Sequence, residues 1–271
     1  LPVRGTRRRR KGFNEITSGS TRRISARHVS AKSRTRVFVE KGRWSYFGRI
    51  GKEQDLSLGR GCDTVGTATH ELGHALGVLS HYVKTRPQFT KQTTKANKNY
   101  GIGYDFGSIM HYGSTRFVQL YSRLRTYTNY QETLGSRFSA FYDLLMLNTH
   151  YGCLCNVSAA VCENGGVPHP RNCRRCLCPN GCGAQLCNER QKSSCGATVQ
   201  ATSTYQDLHG RYTFCSHPRT QIEVRIDSID GTYATDGCAY GGVEIETQED
   251  QKSTGYRYWS FGFQHRSEYC S

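Results

Sequence analysis

Two histidines four residues apart in a helix-forming run, His70-Glu71-Leu72-Gly73-His74, constrain this chain more than any other feature. On an α-helix that spacing sets both imidazoles on one face, one turn apart, so both can reach a single metal ion. Glu71 stands one position round, where its carboxylate can hold a water on that metal. The constellation is that of a zinc hydrolase; the bland alternative is a soluble helix that carries these residues by chance. The helix is expected from about Thr64 to Gly77, with Val65, Ala68, Leu72, Ala75 and Leu76 as its apolar positions. Gly77 is a natural stop, because glycine accepts the left-handed conformation that ends helices.

The 271 residues leave room for two or three domains. No apolar run approaches the length needed to cross a bilayer. The chain starts at Leu1 with no apolar signal segment, which reads as a mature or trimmed product or an incomplete gene model. Of 13 cysteines only Cys62 precedes residue 150, and the rest fall between Cys153 and Cys270. That density predicts small disulfide-stapled modules from an oxidising compartment, with at least one thiol left over. Asn156-Val157-Ser158 is a glycosylation sequon, consistent with a secreted, extracellular protein.

The net charge of +16 is concentrated at the start: residues 1–61 hold 17 Lys/Arg against 4 Asp/Glu, and residues 195–271 hold 6 against 10. Arg7-Arg8-Arg9-Arg10-Lys11 suits nucleic acid, anionic glycans or a basic-specific processing protease, and equally a solvated tail. Nucleic-acid binding ranks last, because the charge lies in a tail with no recognition motif beside it.

Alternation predicts strands at Arg36–Glu40, Trp44–Ile50 and Leu56–Leu58 before the histidine helix. Phe138, Phe141, Leu144, Leu145 and Leu147 give helical spacing to a segment ending near Tyr151. After a glycine- and cysteine-rich stretch, Ile222–Ile226 and Val243–Glu246 alternate as strands do.

The run from Cys62 through His70-Glu71-Leu72-Gly73-His74-Ala75-Leu76-Gly77, paired with Tyr104-Asp105-Phe106-Gly107-Ser108-Ile109-Met110-His111-Tyr112-Gly113, resembles an astacin-family zinc endopeptidase. Trp44-Ser45-Tyr46-Phe47-Gly48-Arg49 resembles that family's edge strand, and Tyr142–Asn148 its C-terminal helix. Residues 155–187 resemble an EGF-like module and 195–271 part of a CUB module. The resemblance implies an α+β chain in four parts. Residues 1–34 would be a basic segment with a candidate processing site, as in a zymogen. Residues 35–153 would be a shortened zincin-like catalytic domain, a mixed sheet plus the active-site helix. Residues 154–188 would be the EGF-like module and 195–271 a truncated CUB β-sandwich.

The resemblance also implies roles. One Zn2+ per chain would be held by His70, His74 and His81. Met110 would floor the metal in a tight turn, and His111 would be structural. Tyr112 would ligate zinc at rest and swing to hydrogen-bond the oxyanion. Glu71 would take the proton of the attacking water and pass it to the leaving amine. Trp44, Ser45 and Tyr46 would align a protein or peptide substrate along the edge strand. In the cysteine-rich part the family pairing would be Cys155–Cys173, Cys162–Cys176 and Cys178–Cys187, with Cys182 surplus. Cys195–Cys215 would follow in the CUB-like part, where Cys238 lacks its usual partner and Cys270 could substitute.

Three departures from the family pattern stand out. The third histidine is due at position 80, where Ser80 stands, and arrives at His81. The acidic residue due after it is replaced by Tyr82. Arg43 occupies the place of the cysteine that would pair with Cys62. The leading expectation is a secreted zinc endopeptidase acting on extracellular, matrix- or cuticle-like proteins, with no membrane partner. The alternative, of another class, is a catalytically inactive relative that binds proteins through its EGF/CUB region.

Overall fold

In a computed structural model the described residues are 3–4, 34–62, 64–79, 97–113, 130–156, 158, 160–191, 197–206, 212–215, 221–226, 229, 235–238, 241–258 and 266–270. A mixed four-stranded sheet runs in the order β1 (Val3–Arg4), β2 (Thr35–Phe38), β4 (Gln54–Leu58), β3 (Arg43–Ser45). The first two pairings are parallel and β3 is antiparallel to β4, so β3 is an edge. Alternation decides the faces. Thr35 and Val37 turn inward, whereas Arg36 lies outward and meets Asp55, its register partner on β4, with two bonds of 2.7 and 2.8 Å. That pair is exposed and contributes little to stability. The inward face carries Val37, Leu56 and Leu58, which pack with Ala68 and Leu72 of helix α1 (Val65–Ala75).

α1 begins where Thr64 accepts a hydrogen bond from the Thr67 amide at 3.2 Å, satisfying one of the free first-turn donors. It ends at Gly77, with φ +86°. The Gly77 amide bonds the His74 carbonyl at 2.8 Å and the Val78 amide the Gly73 carbonyl at 2.9 Å. That pair of bonds is a Schellman ending. The expected strand Trp44–Ile50 pairs only through Arg43–Ser45, because Gly48 and Gly51 at φ +65° and +83° turn the chain away.

Helix α2 (Phe141–His150) is tied to the loop before it by one carboxylate. Asp143, in the first turn, accepts from the Ala140 amide at 2.8 Å, the Ile109 amide at 2.9 Å and the Ser108 hydroxyl at 2.6 Å. Burial pushes its carboxyl up to about 6, against the downward pull of these three donors. At the other end of α2 the Tyr151 hydroxyl donates to the Leu76 carbonyl at the end of α1, at 3.0 Å.

Three disulfides staple the cysteine-rich segment: Cys155–Cys173, Cys162–Cys176 and Cys178–Cys187. Its short hairpin, β5 (Val167–Pro168) with β6 (Cys176–Leu177), lays Leu177 against Phe141, Tyr142 and Ile102. A second small pair joins β7 (Cys182–Gly183) to β8 (Glu189–Arg190). Among the described residues Cys62, Cys153, Cys182 and Cys238 belong to no disulfide. Beyond residue 196 the described strands form three separate pairs. β9 (Ala197–Gln200) and β10 (Tyr212–Cys215) are parallel. β11 (Gln221–Arg225) with β14 (Arg266–Cys270), and β12 (Val243–Ile245) with β13 (Tyr256–Tyr258), are antiparallel. Cys195 lies outside the described residues, as do the side chains of Cys215 and Cys270. Among the described residues no helix is long and apolar enough to cross a membrane.

Replacing Asp143 by Ala would leave three buried donors without an acceptor, a cost of about 3 kcal/mol. Urea unfolding of the Asp143→Ala chain should show a midpoint lowered accordingly, while Asp55→Ala, which breaks only the exposed pair, should shift it by less than about 1 kcal/mol.

Candidate metal centre and active site

The helix brings His70 and His74 together with ring centroids 4.7 Å apart. Each ring is fixed from behind by a backbone carbonyl. His70 Nδ1 lies 2.7 Å from the Ile109 oxygen and His74 Nδ1 3.0 Å from the Val78 oxygen. A carbonyl can only accept, so both Nδ1 atoms carry the proton and both Nε2 atoms carry the lone pair. Neutral imidazoles in that tautomer are the form in which histidine binds a metal, and a carbonyl behind the ring is the usual support. Burial lowers the basicity of His74, which keeps that ring neutral near pH 7.

The two carbonyls have traceable origins. Val78 presents its oxygen because the Schellman ending folds the chain back over the last turn of α1. Ile109 presents its own because Asp143 holds the amide of the same residue. His81 lies outside the described residues, together with Ser80 and Tyr82. Among the described residues no three His, Cys, Asp or Glu side chains are grouped to hold a metal. The donor set nevertheless fits one, since two oriented neutral imidazoles supply half of a tetrahedral site.

Glu71, on the same helix, is buried at 3% exposure. Its burial pushes the carboxyl up to about 7, opposed by the Arg43 guanidinium, whose Nε stands 4.0 Å from Oε1. A dication next to it would pull that value back down. Met110 is almost fully buried against α1. A Cβ on Gly73 would sit 2.7 Å from the Met110 sulfur, so the glycine inside the motif is what lets the floor come this close. The Tyr112 ring lies 6.1 Å from that of His70. His111 is buried and its Nδ1 is 2.7 Å from the Tyr112 backbone carbonyl oxygen.

The edge strand is pinned to the helix. The Ser45 hydroxyl donates to the Glu71 carbonyl at 2.8 Å, and the Gly48 amide to the His74 carbonyl at 2.8 Å. Trp44 stands edge-on between Phe38 and Tyr46, at 5.6 and 6.0 Å, while Tyr46 and Phe47 are exposed. Ser45 therefore spends its hydroxyl on alignment. Asn156 Oδ1 accepts from the Ser158 amide at 3.2 Å in an exposed turn. Neither the role of Asp143 nor the approach of Arg43 to Glu71 was foreseen from the sequence. An Asp three residues after the start of a helix was the available signal for the first; no signal marks the second.

A family model described as Astacin, a peptidase family, matches residues 7–88 and 81–152. The zinc metalloproteinase nas-31 of Caenorhabditis elegans is 44% identical over 88% of this chain and 45% of its own length. In nas-32 of the same organism the figures are 35%, 85% and 41%, and in nas-22 they are 32%, 79% and 68%. The chain thus spans less than half the length of the first two. Among solved structures, high choriolytic enzyme 1, a hatching enzyme zinc-protease of the medaka fish Oryzias latipes, is 27% identical with a TM-score of 0.44, over 56% of this chain and 89% of that one. With the family model covering more than half of its residues, this chain belongs to the astacin family of zinc metallopeptidases.

Proposed function

We propose that this chain is a secreted endopeptidase that hydrolyses peptide bonds in extracellular proteins with one zinc ion. The observation that carries the reading is the pairing of both histidine Nδ1 atoms with carbonyls, which puts the lone pair on two Nε2 atoms of a helix that also buries the Glu71 carboxylate. His70, His74 and His81 would hold the metal. When bound, zinc would supply a Lewis acid for the scissile carbonyl and for the attacking water.

The remaining work falls to the chain. Glu71, buried next to His70 in the chain, takes a proton from the water and delivers it to the leaving amine. The Tyr112 hydroxyl hydrogen-bonds the developing oxyanion. Trp44 and Ser45 lie on β3, which is an edge among the described strands, and Tyr46 directly follows it; these three residues would align the peptide, and the pinning of Ser45 to the Glu71 carbonyl sets that strand against the histidine helix. Residues 155–187 serve as an EGF-like module and 195–271 as part of a CUB module, both for binding proteins. Asn156, in its exposed turn, is the proposed glycan site, and the Arg7–Lys11 run a proposed processing site.

A second reading, an inactive relative that binds proteins through the same modules, draws on one observation. Where the family pattern has a disulfide, Cys62 is a free thiol and Arg43 approaches Glu71.

Two measurements separate these readings. Zinc content by metal analysis should fall sharply in His81→Ala and stay nearly unchanged in Ser80→Ala; the reverse would place the third ligand at 80. Glu71→Gln should lower the rate of casein hydrolysis by about 10²–10⁴-fold without loss of zinc, the range expected for losing a general base. If folded, zinc-loaded chain freed of its N-terminal arginine tail cleaves nothing that Glu71→Gln leaves intact, the binding reading replaces the enzyme.

A further inference from the structure

The loop that carries Met110 and Tyr112 is gripped on its other flanks by the C-terminal segment. Asp105 is buried at 3% exposure. Its Oδ1 accepts from the Gly107 amide at 2.9 Å and from the Thr254 amide at 3.3 Å, and its Oδ2 from the Thr254 hydroxyl at 3.2 Å. Two glycines that bracket the loop are seats for the same segment. A Cβ on Gly107 would collide with the Thr254 side chain, and one on Gly113 with the Asp236 carboxylate. Gly113 directly follows Tyr112 in the chain.

The surroundings extend the contact. Phe106 stacks on Tyr130 at 4.0 Å, and Tyr130 meets Tyr256 at 4.4 Å. Arg257, buried, donates from its amide to the Thr133 hydroxyl at 3.0 Å, from Nη1 to the Ser136 hydroxyl at 2.9 Å, and from Nε to Glu244 at 2.8 Å. The Tyr142 hydroxyl donates to Asp250. These are satisfied polar contacts, most of them buried and between stretches more than 100 residues apart, the kind that specify one arrangement and resist sliding.

We infer that residues 236–257 are a positioning element for the active-site loop 102–113, with Thr254 and Asp236 as the positioning residues that hold the Tyr112 backbone in place. Loop 102–113 has no helix or strand of its own, so its conformation depends on what surrounds it. α1 fixes its centre, through Met110 on Gly73 and Ile109 on His70. The C-terminal segment holds it on either side of that centre, at Asp105 and Gly107 and at Gly113. A tyrosine that must meet an oxyanion at hydrogen-bond distance loses its effect when its backbone wanders by an ångström. The catalytic part and the C-terminal segment are therefore one functional unit, and the segment's contribution goes beyond binding partners. The effect on turnover rests on the peptidase reading, whereas the effect on the loop does not.

Amide hydrogen exchange and steady-state kinetics on the full zinc-loaded chain test this. Thr254→Val keeps the shape and removes the hydroxyl donor. It should speed exchange across 102–113 by about 5–10-fold, the worth of one buried hydrogen bond, and leave Val65–Ala75 unchanged. It should lower kcat by a similar factor with KM within about twofold, because the contact serves a group used in the transition state. Thr254→Ser, which retains the donor, should restore both. Exchange at 102–113 that stays at the wild-type rate in Thr254→Val and in Gly107→Ala would overturn the inference, as would a loss of protection shared equally by Val65–Ala75. If exchange responds while even the wild-type chain cleaves nothing, the positioning holds and the peptidase reading is what fails.

Discussion

The Asp143 carboxylate is the interaction on which the rest of the site depends. It joins the first turn of α2 to Ser108 and Ile109, and Ile109 in turn orients His70. A carboxylate with three donors is a stiff joint, because each bond to an ionised acceptor is roughly twice as strong as a neutral one. Ser108, Ile109 and Ala140, which donate, are buried and the carboxylate is half-buried, so water competes little for those donors. Its effect is to couple the position of α2 to the tautomer of the His70 ring on α1.

The second ring is oriented by an independent route. His74 takes its carbonyl from the helix ending itself, at Val78 just beyond Gly77. The two histidines thus share a face of α1 but not a support. Anything that shifts α2 disturbs His70 first, whereas anything that alters the Gly77 turn, including an inserted residue before His81, disturbs His74 first. The edge strand and the turn after it add a third tie, through Ser45 to the Glu71 carbonyl and Gly48 to the His74 carbonyl, so that strand moves with the helix.

What was legible in the sequence is what local spacing controls. Periodicity and the Gly77 stop place a helix from about Thr64 to Gly77, observed as Val65–Ala75, and alternation places strands at Arg36–Glu40 and Leu56–Leu58, observed as Thr35–Phe38 and Gln54–Leu58. The strand after Trp44 reads too long, because Tyr46 and Phe47 look β-like while the glycines at 48 and 51 decide the path. The grip of Thr254 on Asp105 spans 149 positions and that of Arg257 on Ser136 spans 121. Neither residue type nor spacing announces such contacts, since a buried Thr, Asp or Arg has no periodic signature. The family resemblance supplied roles for single residues and no information about which distant segments support them.

Arg43 shows how a local departure alters the physics of a site whose motif is intact. The guanidinium is partly exposed, with 28% of its side-chain surface open, while the carboxylate it faces is 4% exposed. At 4.0 Å the pair lies at the outer limit of a direct ion pair, and its attraction competes with the loss of hydration that Glu71 suffers on burial. Burial is the larger effect, and the carboxyl stays near 7 despite a cation at its edge. A cysteine there would be small, neutral and tied to Cys62; an arginine leaves Cys62 as a thiol and puts a positive charge at the head of the edge strand. The Glu71 carboxyl is therefore tuned by two opposing environments, burial on the helix face and the charge of a single edge-strand residue.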